Sequence, residues 1–168
     1  MQAMVMADRK FSVSYKNKIL ASIPADKKSM LNEIAGKTII YDIHFLTELP
    51  GQMPVKGCRN IIYTDGIRKT VKGAECYETL GALGDAIESI KKNPQVYIIH
   101  GAALYNEFYK DVDVFHVTKI DYEYKADASI PDLDKDPEFT ITADSDEMYC
   151  FDIIYEFLKY ERKCGDRK

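Results

Sequence analysis

The sequence has no long hydrophobic run, and this absence excludes a membrane-spanning helix. The N-terminus lacks the positively charged start and long apolar core of a signal peptide, so a cytoplasmic protein is expected. Only 4 of the 168 residues are cysteines, and none forms a short paired spacing. They are therefore expected to be free thiols, with no zinc site, redox motif or other metal site.

Excess basic charge is also missing. The formal net charge is −4, which gives no footprint for nucleic acid, and no basic amphipathic helix suggests a membrane surface. The apolar share of 46% and the charged share of 30% are typical of a soluble globular protein. We expect one domain over residues 1–163, a flexible tail over residues 164–168, and a monomer with no nucleic-acid or membrane partner.

Short apolar runs alternate with amphipathic segments along the chain, which is the pattern of an α/β domain. Apolar runs predict strands at residues 2–7, 38–41, 60–64, 95–99 and 114–120, with a short extended piece at 74–77. Helices are predicted from Pro24 to near Gly36, from Asp42 to near Leu49, after Thr79 and after Gly101. Residues 8–17 are predicted as a loop and residues 148–162 as an antiparallel pair. The prediction is a single-domain, three-layer fold with a mostly parallel central sheet and an antiparallel C-terminal strand.

Asp26 is the first candidate for chemistry. Pro24 suits the first turn of a helix, and Ser22 is a candidate cap, so Asp26 lies near the helix start. Steps of four residues lead from Asp26 to Met30 and Ile34, so the carboxylate heads an apolar stripe. It is either a capping residue in water or a buried group that binds a ligand, and position alone favours neither.

Two predicted junctions between a strand and a helix, residues 41–45 and 99–103, lie where α/β sheets bind ligands. Gly101 either allows a phosphate to approach the backbone or serves only packing. His100 and His116 are interpreted as strand histidines satisfied by the backbone, and His44 as a surface residue. None has a neighbour that indicates a metal site or a nucleophile.

Several segments, taken in order, resemble motifs of the dihydrofolate reductase family. Residues 23–26 (Ile-Pro-Ala-Asp) resemble the helix start that carries the acidic active-site residue of that family. Residues 56–64 resemble a loop and strand that usually read Pro-Gly-Arg-x-Asn followed by apolar residues. Residues 97–105 resemble the strand, glycine pair and helix that hold the cofactor pyrophosphate. Residues 113–120 and 126–131 resemble the strand and the acidic loop that follow in the family, and residues 155–162 resemble its closing strand.

The resemblance implies hydride transfer from NADPH, with NADH as the alternative cofactor, to dihydrofolate, giving tetrahydrofolate. Asp26 is then the residue that bonds the pterin and promotes its protonation. The implied substrate-binding residues are Met4, Met6, Ile23, Met30, Ile99 and Thr118. The implied cofactor-binding residues are Ala7, Val13, His44, Phe45, Thr64, Gly101, Ala102, Ala103, Leu104 and Tyr105.

The chain departs from the family at the cofactor side. Residues 41–45 stand where the family has Met-Gly-Arg-Lys/His-Thr, so Ile43 and Phe45 replace the Arg and Thr that contact phosphate. Asp42 and Asp65 place negative charge on the side where the family contacts the cofactor phosphate. A carboxylate about 5 Å from a phosphate charge costs about 3 kcal/mol at an effective dielectric constant of about 20, which weakens NADPH binding about a hundredfold.

Two more departures concern the phosphate loop and the substrate tail. His100-Gly101 replaces the Gly-Gly of the family, which adopts a cis peptide, and Cys58 replaces the Arg that pairs with the glutamate tail of folate. The first hypothesis is an active dihydrofolate reductase. The alternatives are a weak or inactive relative that binds pterins or partner proteins, and a reductase for another pterin or pyrimidine. Titration with NADPH and NADH separates the first two.

Overall fold

A nine-stranded sheet forms the centre of the protein in the computed structural model, which describes residues 1–165. The strands of this sheet are β1 (Gln2–Ala7), β4 (Thr38–Asp42), β5 (Arg59–Tyr63), β6 (Ala74–Tyr77), β7 (Val96–Ile98), β8 (Val114–Ile120), β10 (Phe139–Asp144), β11 (Met148–Cys150) and β12 (Ile153–Arg162). Along the main path of the sheet their order is β10-β12-β8-β1-β7-β4-β5-β6, and β11 pairs with β12. A smaller sheet joins β2 (Ser12–Tyr15) to β3 (Lys18–Ile19) and β9 (Ala128–Ser129).

Within residues 1–165, the connections carry three α-helices and three short 3-10 helices. The α-helices are α1 (Pro24–Ile34), α2 (Leu80–Ile87) and α3 (Ala102–Glu107), and the 3-10 helices are Ile43–Glu48, Pro50–Gln52 and Tyr109–Asp111. Thr79 caps α2 by accepting from the Ala82 N–H, and Asp42 caps the first 3-10 helix through the Phe45 N–H. At α1 the cap residue is Ile23, without a side-chain bond, so the prediction that Ser22 caps this helix was wrong.

Apolar side chains on both faces of the sheet build the predicted three layers. Met30 and Ile34 of α1 pack on one face, and Leu83 and Ile87 of α2 pack on the other. The sheet is parallel from β8 through β1, β7, β4 and β5 to β6, and β12 pairs antiparallel with both β8 and β10. The predicted fold class is therefore confirmed.

Among the strands that were not predicted, β2 and β10 are the longest. Residues 8–17 were predicted as a loop, but Ser12–Tyr15 form β2 and pair with β9. Phe139–Asp144 form the edge strand β10, in which all but the first residue are exposed. Its sequence alternates apolar and polar residues, but it has no continuous apolar run, and its pairing with β12 identifies it as a strand.

The sheet brings the predicted junctions together. The carboxyl ends of β4 and β7 are adjacent because these strands pair in parallel, with Ile40 opposite Ile98. β7 also pairs with β1, so the edge of the sheet that holds both junctions continues towards β1 and β8. Within residues 1–165, no helix is long and apolar enough to cross a membrane. Of the predicted tail, residues 166–168 lie outside the described residues.

Candidate active site

Asp26 lies in the first turn of α1 and reaches across to the sheet. The Thr118 hydroxyl of β8 donates a hydrogen bond to its Oδ1. Met30 and Ile34 follow on the same helix face and are buried, as the spacing predicts. The carboxylate is therefore the polar head of a core-facing stripe, and the interpretation of Asp26 as a cap that points to water was wrong.

Burial governs the protonation of Asp26. Removal from water disfavours the charged form and raises the pKa of Asp26 above its ordinary value, and the hydrogen bond from Thr118 opposes that rise. A carboxyl group with a raised pKa beside a cavity is typical of a functional site rather than of a structural ion pair.

The raised pKa of Asp26 predicts a pH-dependent stability difference between the wild type and the Asp26→Asn variant. Below the ordinary carboxyl pKa the group is protonated whether the chain is folded or unfolded, so it contributes no difference. As the pH rises to the raised folded pKa, ionisation increasingly destabilises the folded state, and the penalty is constant above that point. Urea denaturation from pH 4 to pH 8 should show the stability of the variant rising relative to wild type. A difference that is independent of pH would contradict this origin of the shift.

A cavity of about 420 Å³ opens beside Asp26, and we call it the main cavity. Asp26 and all six predicted substrate-binding residues line it: Met4, Met6, Ile23, Met30, Ile99 and Thr118. Five of the predicted cofactor-binding residues line it as well: Val13, Phe45, Gly101, Ala102 and Tyr105. Met4 and Met6 are only partly buried in the central strand β1 because this side of the strand faces the main cavity.

The other five predicted cofactor-binding residues are not in the wall of the main cavity. Ala7 and Leu104 are fully buried in the apolar core, and Ala103 is exposed on α3. Thr64 is buried, and its hydroxyl donates to the Tyr77 carbonyl. His44 is about one-third exposed, and its Nε2 lies 3.6 Å from an Asp65 carboxylate oxygen.

Asp42, His100 and Phe45 connect the two junctions through their side chains. Asp42 Oδ1 lies 3.1 Å from His100 Nδ1 and accepts from the Phe45 N–H at 3.2 Å. The Phe45 ring stacks on the His100 ring with centroids 4.6 Å apart and an interplanar angle of 11°. The partner of His100 is thus a carboxylate, and the prediction of a backbone partner was wrong. The Asp42 charge is turned towards two donors instead of being left open to a ligand.

His116 also differs from its prediction, because its Nε2 lies 2.6 Å from the Gln2 side-chain oxygen rather than from a backbone group. Glu33 was not predicted, yet it lines the main cavity and accepts from the Tyr97 hydroxyl at 2.6 Å. Glu33 follows Asp26 by seven residues, so the same helical stripe could have identified it. Asp144 and Lys159 also line the cavity but come from the antiparallel edge, where no sequence signal placed them.

Gly101 is held tightly at the turn between β7 and α3. Its φ is +112°, and a Cβ added there would lie 3.0 Å from Asp42 Oδ2 and 3.1 Å from Leu104 Cδ1. No peptide bond within residues 1–165 is cis, so the His100–Gly101 bond is trans. The glycine is required by its conformation and by the close approach of the Asp42 carboxylate.

Replacing Gly101 by alanine is expected to lower the free energy of unfolding by about 1–3 kcal/mol, because the backbone conformation and the crowding both oppose a Cβ. Gly81→Ala is the matched control, since Gly81 lies inside α2 with no atom near its added Cβ. That variant should be stabilised by about 0.4–1 kcal/mol. Urea denaturation measures both values, and equal effects of the two substitutions would contradict the argument.

Comparison with known proteins identifies the family. The family model described as dihydrofolate reductase matches residues 1–162. The chain belongs to the dihydrofolate reductase family. This family membership confirms the resemblance drawn from the sequence.

Individual members of the dihydrofolate reductase family are distant in sequence. The dihydrofolate reductase of Bacillus subtilis is 26% identical over 113 residues, which cover 66% of this chain and 64%, or less than two thirds, of that protein. The dihydrofolate reductase of Staphylococcus haemolyticus is 27% identical over 161 residues, which cover 94% of this chain and 93% of that protein. A solved dihydrofolate reductase from Enterococcus faecalis, complexed with NADP(H) and RAB-propyl, has a TM-score of 0.75 at 17% identity, covering 96% and 95% of the two chains. The last similarity shows the shared fold.

Proposed function

We propose that this protein reduces 7,8-dihydrofolate to tetrahydrofolate with NADPH, with NADH as the alternative cofactor. The observation that carries the proposal is the half-buried Asp26 carboxylate, bonded by Thr118 and facing a cavity of about 420 Å³. Family membership over residues 1–162 supports it. The proposal includes action as a cytoplasmic monomer without a nucleic-acid partner.

Asp26 orients the substrate. Thr118 donates to Oδ1, and this bond leaves Oδ2 to accept from the amino group and ring N–H of a pterin. Met30 and Ile23 supply apolar walls beside the carboxylate, so the ring is held away from water. The charge of Asp26 favours a proton on the ring nitrogen next to the carbon that is reduced.

The residues beside α3 fit a nicotinamide cofactor. Gly101 and His100 line the main cavity at the turn before α3, and His100 Nδ1 is paired with Asp42 Oδ1. Val13, Ala102 and Tyr105 add an apolar wall to the same cavity. When bound, the cofactor supplies the hydride. The two donors on Asp42 offset part of the repulsion expected from its charge.

The test is a titration of purified protein with NADPH and with NADH, followed by turnover with dihydrofolate at saturating cofactor. We expect saturable binding, tighter for NADPH, and loss of absorbance at 340 nm only when both reactants are present. Cofactor and folate binding without turnover would favour the inactive-relative hypothesis. Absence of binding of either nucleotide at millimolar concentration would overturn the proposal.

A further inference from the structure

Apart from Asp26, the charged side chains that line the main cavity are not used by the proposed reaction. They are the carboxylates of Glu33, Glu48 and Asp144 and the ammonium groups of Lys27 and Lys159. These residues lie on α1, on the first 3-10 helix and on the antiparallel strands β10 and β12. A substrate in the main cavity is therefore exposed to three negative and two positive groups besides Asp26.

The two lysines are weaker partners for an anion than their number indicates. Lys159 Nζ lies 2.8 Å from Glu161 Oε1, so its charge is already paired. Lys27 is exposed on α1, where water and salt screen its charge. The carboxylates therefore dominate the electrostatics of the lining.

The neighbouring groups do not offset these carboxylates. Burial lowers the pKa of His116, which keeps that ring uncharged near pH 7. A positive charge on His100 would be compensated by the Asp42 carboxylate, which lies 3.1 Å from the ring. The Tyr97 hydroxyl donates to Glu33 Oε1 at 2.6 Å, and this phenol stays protonated because burial raises the pKa of Tyr97. The phenol thus holds the Glu33 carboxylate in place without neutralising it.

The residues proposed to hold the pterin ring include only one charged group. Asp26 is the polar anchor, and Thr118 supports it. The other five are apolar: Met4, Met6, Ile23, Met30 and Ile99. Three of these are methionines, whose flexible side chains adapt to substituents of different shape. Recognition of the ring therefore does not depend on a charged substituent.

We infer that the main cavity selects dihydropterins by their ring and not by an anionic tail, so that 7,8-dihydropterins with a short uncharged substituent at C6 are substrates alongside dihydrofolate. The inference rests on the proposed function, because it assumes that Asp26 binds a pterin ring in this cavity. The tail of dihydrofolate carries two carboxylates, and a lining in which carboxylates predominate repels them. An uncharged dihydropterin avoids that repulsion and presents the same ring to Asp26.

The chemistry is the same for both kinds of substrate. The C6 carbon of the ring accepts the hydride that NADPH loses, and N5 accepts a proton from water, so the C6=N5 double bond becomes a single bond. The products are the tetrahydropterin and NADP⁺, whichever substituent C6 carries. The tail takes no part in the electron balance, so a preference between the substrates arises from binding contacts.

The test compares kcat/KM of the wild type for 7,8-dihydrofolate and for 6-methyl-7,8-dihydropterin at saturating NADPH. We expect the two values to agree within about tenfold. We also expect the ratio of the dihydrofolate value to the methyl-dihydropterin value to rise about twofold to fivefold between ~50 mM and ~500 mM potassium chloride, because salt screens the repulsion of the tail. The ratio cancels the effects of salt on cofactor binding and on the chemical step.

A double variant, Glu33→Gln with Glu48→Gln, removes two of the lining carboxylates. It should raise the same ratio about threefold to tenfold at low salt, and glutamine keeps an oxygen that accepts from the Tyr97 hydroxyl. Glu78→Gln is the matched control, because it removes an exposed glutamate outside the main cavity. Its ratio should equal that of the wild type.

The wild-type measurements decide the inference even if the double variant misfolds. A preference for dihydrofolate above about a hundredfold, or a ratio that falls or stays constant as salt rises, overturns this inference alone. Turnover of the methyl-dihydropterin without turnover of dihydrofolate supports the inference and removes dihydrofolate from the proposed function. Turnover of neither substrate overturns the proposed function and the inference with it.

Discussion

Asp26→Asn is expected to lower kcat/KM for dihydrofolate by about 10²–10⁴-fold. The substitution keeps the shape of the side chain and an oxygen that accepts from Thr118. It removes the negative charge that, in the proposed function, orients the pterin and favours its protonation. The measurement is the initial rate of NADPH oxidation at saturating cofactor, with dihydrofolate varied.

The control for Asp26→Asn is Asp85→Asn on α2, which changes an exposed carboxylate outside the main cavity. It should retain the wild-type rate. NADPH affinity should also be retained in Asp26→Asn, because the proposed role of the carboxylate is to bind the substrate and not the cofactor. Turnover that is undiminished in Asp26→Asn would contradict the role given to the carboxylate.

Phe115→Ala is expected to lower the free energy of unfolding by about 3–5 kcal/mol. Phe115 on β8 is fully buried. Its ring lies 5.6 Å from the Tyr109 ring and 5.4 Å from the Phe139 ring, measured between centroids. Alanine would leave a cavity where β8, β10 and the last 3-10 helix meet, and the two neighbouring rings would lose aromatic contacts. Urea denaturation at 25 °C measures the loss.

Phe151→Ala provides the matched control for Phe115→Ala, because Phe151 is the same residue type with a side chain that is 97% exposed. It should change the free energy of unfolding by no more than about 0.5 kcal/mol. A similar loss in the free energy of unfolding for both variants would contradict the attribution of the loss in Phe115→Ala to the packing of that ring.

The central strands could be predicted from sequence because each buries a continuous apolar run. Ile39, Ile40 and Tyr41 of β4 are fully buried, and the predicted strand lies within Thr38–Asp42. β2 and β10 lack such a run. Their backbone groups are paired by strands that are distant in sequence, as Ser12 is with Ser129. Each carries only a short alternation of apolar and polar residues, and a search for continuous apolar runs missed both strands.

The candidate site likewise contains some contacts that local sequence predicts and others that it does not. The spacing of Asp26, Met30 and Ile34 placed the carboxylate on a core-facing stripe, because a helix repeats every 3.6 residues. The contact of His100 with Asp42 could not be predicted from local spacing. Its partner Asp42 is 58 residues away, and only the parallel pairing of β4 with β7 brings the two side chains within 3.1 Å.

By itself, the amino-acid sequence determined the order of the central strands and the α-helices, the core-facing stripe of α1 and the family resemblance, because each depends on neighbouring residues or on a linear motif. The tertiary structure alone decided that Thr118 bonds Asp26, that Asp42 turns towards His100 and that Phe45 stacks on that ring. Those contacts join side chains from separate strands and helices. Their free energies depend on burial and orientation, and both arise only when the sheet has assembled.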